Sequence, residues 1–139
     1  MKTTARRLAF TLVLALVVGS LASCSKILNA PMYSKGTISH VVICYLKNHG
    51  SEVDRQKIIA ASRELRSISG VYDVEVGPAL ASDRPIVVSD YDVALVVTFR
   101  DVEYMKKYLT HPTHQKLAKE VLEPLTSKVI VYDFTNQEY

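Results

Sequence analysis

The alternation of apolar and polar positions changes period several times along this chain, and each change marks an element. Thr37 to Lys47 is rich in Val, Ile, Tyr and Thr and closes on Asn48-His49-Gly50, which predicts a strand followed by a turn. Ser51-Glu52-Val53-Asp54 has the capping-box pattern, and Ile58, Ala61, Leu65 and Ile68 follow at helical spacing, so an amphipathic helix is predicted that stops at Gly70. Val71 to Pro78 reads as a second strand, with Val74 and Val76 on one face and Asp73 and Glu75 on the other. Ala79 to Asp90 carries Ser82-Asp83 and Arg84-Pro85 and is predicted as a long loop before a third strand, Tyr91 to Phe99. Asp101 is placed to cap a helix bearing Val102, Met105, Tyr108 and Leu109, which must end near Thr110 because Pro112 disfavours helix at His111. A further short helix begins at Pro112 or Thr113, carries Leu117, Val121 and Leu122, and is predicted to halt before Pro124. Ser127 to Phe134 completes the set as a fourth strand.

The resulting order, βαββαβ, is the split βαβ arrangement of ferredoxin-like folds: an α+β domain with one antiparallel four-stranded sheet and helices on one face. In such a sheet the wet face should be polar. Here the first strand sets Val41, Ile43 and Tyr45 on one side and Ile38, Val42, Cys44 and Leu46 on the other, and the third sets Tyr91, Val93, Leu95, Val97 and Phe99 against Ala94 and Val96. Both faces call for burial, and one helical layer covers only one. A second copy laid face to face would close two sheets into a dimeric α/β barrel about a two-fold axis, so a homodimer is expected. A charge at Val93 or Leu95, whichever faces the partner, is expected to disrupt it.

Composition changes the picture at the N-terminus. The 139 residues suffice for one domain, and 48% hydrophobic with 22% charged residues is ordinary for a globular chain. The formal charge of +3 owes everything to Lys2, Arg6 and Arg7, since 14 basic residues balance 14 acidic ones from position 24 onward. A nucleic-acid surface therefore has no support from charge. Residues 1–23 have a basic opening, an apolar run from Leu8 to Val18 and a small-residue end, the layout of a secretory signal whose run is too short for a comfortable span. Leu21-Ala22-Ser23-Cys24 then resembles the lipobox of bacterial lipoproteins, in which the cysteine is acylated and becomes the mature N-terminus. That resemblance implies lipidation at Cys24 and a place in the bacterial cell envelope, anchored to the membrane. With Ser25 next, it implies the periplasmic face of the outer membrane in a two-membrane host. Residues 24–36 are then a tether, 37–135 the domain and 136–139 a tail. With Cys24 acylated, Cys44 has no disulfide partner, and in its apolar run it reads as a small buried hydrophobe.

Five stretches resemble the stress-responsive A/B barrel (Dabb) domain, a family of dimeric α/β barrels. They are Ile38-Ser39-His40-Val41-Val42, Ile68-Ser69-Gly70-Val71, Tyr91 to Phe99, Tyr108-Leu109-Thr110-His111-Pro112-Thr113-His114, and Val131-Tyr132-Asp133-Phe134. The resemblance spans residues 37 to 135, and the Tyr-x-x-His-Pro-x-His stretch is its most specific element. The family includes plant stress proteins and a polyketide cyclase. In the cyclase type a Tyr and a His of that stretch act as acid and base, which implies catalytic candidates Tyr108 and His114. A histidine of that type early in the third strand is replaced here by Val93, which speaks against the same cyclisation. The wider class also holds small heme-binding monooxygenases, which need an axial His in a large pocket, and cofactor-free relatives that lean on Trp and Asn; this chain has no Trp, oxidative chemistry ranks below the cyclase-like reading, and no cofactor is expected.

From the residues themselves, His114 in the first turn of a helix would favour the neutral imidazole, and the Pro112 turn brings Tyr108 near it. The structural alternative has His114 capping the helix start and the Tyr108 hydroxyl on a local acceptor. His40, His111 and Tyr91 are candidate ligand-binding residues. A metal site built from His111, His114 and His40 is set aside because Pro112 breaks the helical spacing such ligands use. His49, in a turn, is expected to be exposed. Three functions remain: a module that binds a small apolar or aromatic molecule in the barrel, a cofactor-free lyase or cyclase, and a structural envelope stress protein. The sequence leaves open whether the chain catalyses anything.

Overall fold

The computed structural model describes residues 36–137. The signal peptide, Cys24 and the rest of the tether before Gly36 lie outside the described residues. Strand β1 (Ile38–Leu46) is followed by helix α1 (Glu52–Arg63), extended by a 3-10 turn (Glu64–Ser67), then by β2 (Val71–Pro78) and β3 (Val93–Phe99). Helix α2 (Val102–Leu109) precedes α3 (Pro112–Lys116), which runs through a π-helical stretch (Leu117–Leu122) into a last turn, α4 (Glu123–Leu125), and β4 (Thr126–Thr135). The strands form one sheet in the order β2-β3-β1-β4, with every neighbouring pair antiparallel.

Caps fall where the sequence puts them. The Ser51 hydroxyl accepts from the Asp54 amide at 3.3 Å, and Asp101 Oδ1 accepts from the amides of Glu103 and Tyr104 at 2.9 and 3.1 Å. Gly70 adopts φ +85°, and a side chain there would overlap the ring of Tyr104. This is a left-handed turn that only glycine enters cheaply while another element packs on it.

The core lies between the sheet and the helices. Ile38, Val42, Cys44 and Leu46 of β1, Val74 of β2, and Val93, Leu95, Val97 and Phe99 of β3 meet Ile58, Ile59, Leu65, Tyr108 and Leu117. Val93 and Leu95, offered above as partner-facing, are thus core residues at 0% and 3% exposure. A charge at either would disrupt the fold itself. In a strand only every second residue faces the open side, and in β3 those are Ala94, Val96 and Thr98. The open face also carries Val41, Ile43 and Tyr45 of β1, and Ile130, Tyr132 and Phe134 of β4, as the register dictates.

Two further features depart from the expectation. The last helix continues through Pro124. The π-helical turns before it have already interrupted the ordinary i to i−4 ladder, so the proline has no such bond to remove and sits at the start of a new turn. Lys47 Nζ donates to the carbonyls of Glu123 and Pro124 at 3.0 and 2.9 Å and holds that end of the helix against β1. The second feature is Asp92, 2% exposed, whose carboxylate accepts from the amides of Leu46 and Gly50 and from the His49 ring. It fastens the β1–α1 turn to the start of β3.

Candidate acid–base and ligand site

At the other end of the sheet the helix-facing side of β1 carries a histidine. His40 is 6% exposed and lies directly across from Asp133 of β4 in the strand register. Its Nδ1 is 2.6 Å from Asp133 Oδ1. A carboxylate only accepts, so Nδ1 carries the proton and Nε2 is left as the acceptor nitrogen.

Tyr108 of α2 packs over this pair. Its ring centroid lies 5.9 Å from that of His40 in an edge-on arrangement, 4.7 Å from Phe99 and 4.5 Å from His114. The phenol is 1% exposed, and burial alone holds its pKa far above the ordinary value. Its hydroxyl has no hydrogen-bond partner among the described residues. Tyr108 is thus a core aromatic, as the structural alternative has it, but no local acceptor for its hydroxyl occurs among the described residues.

His114 donates from Nδ1 to the carbonyl of Leu109 at 3.1 Å, which again leaves Nε2 as the acceptor. Its pKa is lowered, first by burial and further by the nearby His40, against the opposing effect of the Leu109 bond. The neutral imidazole expected from the sequence is therefore present, with desolvation as its main cause. The helix start is capped by a different residue: His111 accepts from the Thr113 amide at 3.2 Å. His111 consequently has a structural task, and the capping alternative raised for His114 belongs to it.

The structure brings His40, Tyr108 and His114 together, adds Asp133, and does not bring Tyr91. Tyr91 lines a cavity of about 420 Å³ at the opposite end of the sheet, with His49, Arg55 and Asp92. His49 is largely exposed at 70% of its side chain, as expected, yet pairs with Asp92 at 3.0 Å. Val93 sits in the core opposite Cys44, so this part of the interior is apolar. Burial pushes the Cys44 thiol up to about 11, which makes it unreactive. No group of three or more metal-ligating side chains occurs among the described residues. Asp133 was quoted only as part of a strand motif, and nothing in its spacing pointed to His40, 93 residues away.

Two orienting acceptors, each on the Nδ1 of a histidine, flank one phenol whose ring is buried. That arrangement can hold a ligand hydroxyl or carbonyl, or pass a proton between phenol and imidazole. Fold and site together define a ferredoxin-like α/β domain with a histidine- and tyrosine-lined interior. The profile of the stress responsive A/B barrel domain (Dabb) matches residues 38–136, and the chain belongs to this family. Solved structures resemble it over most of their length. A Dabb family protein with a ferredoxin-like fold from Mesorhizobium loti is 23% identical, with a TM-score of 0.61, over 75% of this chain and 100% of that one. A hydroxynitrile lyase from Passiflora edulis is 21% identical, with a TM-score of 0.65, over 76% and 98%. A dimeric ferredoxin-like protein of unknown function from Bacteroides fragilis is 20% identical, with a TM-score of 0.58, over 75% and 100%. At these identities the likeness concerns the fold. No curated protein matches the chain.

Proposed function

We propose that this chain is a membrane-anchored envelope lipoprotein whose Dabb domain dimerises through its open sheet face and binds a small apolar or aromatic molecule bearing a hydroxyl or carbonyl. The observation that carries the binding reading is Tyr108. Its ring is buried and its hydroxyl makes no hydrogen bond among the described residues, so a bound molecule that accepts from it would add a bond the protein does not already make. Phe99 and the rings of His40 and His114 supply aromatic walls around it. Homodimerisation is supported by the half-buried Val41, Ile43 and Val96, the exposed Tyr132 and Phe134, and the dimeric state of the Bacteroides fragilis neighbour. The anchor rests on the Leu21-Ala22-Ser23-Cys24 motif.

The His40–Asp133 pair favours a second reading, a cofactor-free lyase or cyclase. A carboxylate-oriented imidazole with its free Nε2 beside a phenol is an acid/base pair in position, and a hydroxynitrile lyase is among the structural neighbours. In either case the function is tested by native mass spectrometry of protein purified from its host. Binding predicts a dimer mass with a retained small molecule that disappears in Tyr108→Phe. A wild-type protein that carries nothing from its host, and an interior that stays empty when offered phenolic and carbonyl compounds, would refute the reading.

A further inference from the structure

In the strand register Ile38 of β1 pairs with Thr135 of β4 and with Phe99 of β3, and Phe99 pairs with Val71 of β2, so these four residues form a row across one end of the sheet. The chain enters the domain at this row. The Gly36 amide donates to the Asn136 carbonyl at 3.1 Å, and the Asn136 amide donates to the Thr37 carbonyl at 2.8 Å. Gly36 follows Cys24 by 12 residues, a reach of about 40 Å at most, and that stretch contains Lys26 and Lys35 but no Asp or Glu. The same end carries a cationic aromatic cluster. The Arg100 amide donates to the Gly70 carbonyl at 3.0 Å, which fixes the chain after β3 against the turn before β2. Tyr104 of α2 lies on Gly70, with Arg100 Cζ 5.5 Å and Lys107 Nζ 5.1 Å from its ring centroid. Both cations are exposed and the ring is half-buried. The acidic neighbours are engaged elsewhere: Asp101 Oδ1 caps α2, and Glu103 pairs with Lys106 at 2.8 Å. Arg100 comes no closer to Asp101 than 3.9 Å, and Lys107 has no carboxylate partner among the described residues.

We infer that Arg100, Tyr104 and Lys107 form a docking surface for an anionic phospholipid bilayer, and that the end of the domain where the tether joins is the end that meets the headgroups. A tyrosine ring is amphipathic and suits the headgroup level, while long cationic side chains rest their stems on apolar surface and offer their charge to lipid phosphates. Lys26 and Lys35 add positive charge on the membrane side of the same end, where each basic residue near an anionic leaflet adds attraction. The inference rests on the anchor proposed above and adds what acyl chains cannot supply. Lipid on Cys24 holds the domain at the membrane but leaves it free to turn; the cluster sets which way it faces. The surface lies on α2, on the helical side, so the open sheet face stays free for a second copy.

The chain has no Trp, so one introduced Trp reports its own depth. The test uses the acylated full chain in vesicles of phosphatidylethanolamine and phosphatidylglycerol that include lipid brominated near the headgroup. It compares Tyr104→Trp with Ile86→Trp, which is 87% exposed in the loop after β2, at the opposite end of the sheet where Pro78 pairs with Val93. Emission from Tyr104→Trp is expected to shift to the blue and to be quenched severalfold more than emission from Ile86→Trp. Adding Arg100→Glu/Lys107→Glu to Tyr104→Trp should remove most of that quenching, as should high salt, while the acyl chains keep the protein on the vesicles. Equal quenching at the two positions, or quenching that survives charge reversal in a variant that melts cooperatively in detergent, overturns the inference. Should that variant not melt cooperatively, replacing phosphatidylglycerol by phosphatidylcholine decides, and unchanged quenching of Tyr104→Trp overturns it. Mass spectrometry of the same sample reads the acyl chains. A chain that leaves its host without them refutes the anchor and the docking with it, whereas an acylated chain whose Tyr104→Trp emission is unquenched refutes the docking alone.

Discussion

Asp92→Ala removes a side chain that no pattern in the sequence singled out, and its cost can be worked from three bonds. Oδ2 accepts from the Leu46 amide at 2.8 Å and from His49 Nδ1 at 3.0 Å, and Oδ1 accepts from the Gly50 amide at 2.7 Å. The Leu46 amide belongs to a residue 3% exposed and cannot turn to water once the carboxylate is gone. A stranded buried donor costs about 1–3 kcal/mol. Gly50 lies on the surface, where water replaces much of the lost bond, and the His49 ring is 70% exposed, so its pairing is largely screened. The sum is about 3 kcal/mol, which in a domain near 100 residues lowers Tm by roughly 10–20 °C. The carboxyl also ties stability to pH. Burial raises its pKa, but the amides of Gly50 and Leu46 and the His49 ring together lower it by more, so the folded value lies below the unfolded one. The contribution is therefore complete above the unfolded carboxylate value of about 4 and disappears as pH falls through the folded value. Calorimetry from neutral to acidic pH should show the wild type losing stability below about pH 4 more steeply than Asp92→Ala. His49→Ala should cost less than about 1 kcal/mol. If His49→Ala is as damaging as Asp92→Ala, or if Asp92→Ala melts like the wild type, the buried Leu46 amide is not what the carboxylate serves.

Gly70→Ala should destabilise by about 3 kcal/mol or more, because the left-handed conformation and the Tyr104 ring both oppose a side chain, and chemical denaturation reads this directly. Val96→Asp places a charge on the open face opposite Val41 and Glu75 and should shift the proposed dimer to monomer in ultracentrifugation with the melt still cooperative. The folded His114 pKa lies below its ordinary 6.5, so its NMR titration midpoint should fall below that value, and stability linked to it is present above 6.5 and lost as pH drops through the folded value. Cys24→Ala should release the domain from membranes on fractionation, since the lipid is the proposed anchor.

The elements were legible because each carries its own local punctuation: Ser51 and Asp101 as caps, Gly70 as a stop, and alternation in β2 that assigns Val74 and Val76 to one face. Sequence periodicity reports which face a strand residue occupies, but it gives neither the height along the sheet nor which face the helices will cover. Tyr91 was grouped with His40 for this reason, although they lie at opposite ends, and one of Val93 and Leu95 was expected to face a partner when the helices cover both. Pro124 failed as a stop because a π-helical stretch is a property of packing that has no clear sequence mark.

The site was half legible for the same reason. Tyr108 and His114 are six residues apart, joined by a turn that Pro112 fixes, so their proximity is written locally and the 4.5 Å ring contact follows. His40 and Asp133 meet only because β1 and β4 pair in one particular register. A slip of one residue would put Asp133 on the opposite face of the sheet. That register is held by Lys47 on the last helical turn at one end, and at the other by the Asn136 side chain, which donates to Thr37 Oγ1 at 2.9 Å and to Ser39 Oγ at 3.1 Å. Asn136→Ala should therefore act on the site without touching it. Loss of these two bonds costs about 1–2 kcal/mol of stability and loosens the end of β4 that carries Asp133. A purely structural role would lower Tm and leave the His40 ring unchanged in NMR. Positioning through the register predicts that the His40 ring resonances broaden or shift in Asn136→Ala and that Asn136→Asp, which retains an acceptor but no amide donor, fails to restore them. Resonances identical to the wild type in both variants would refute it.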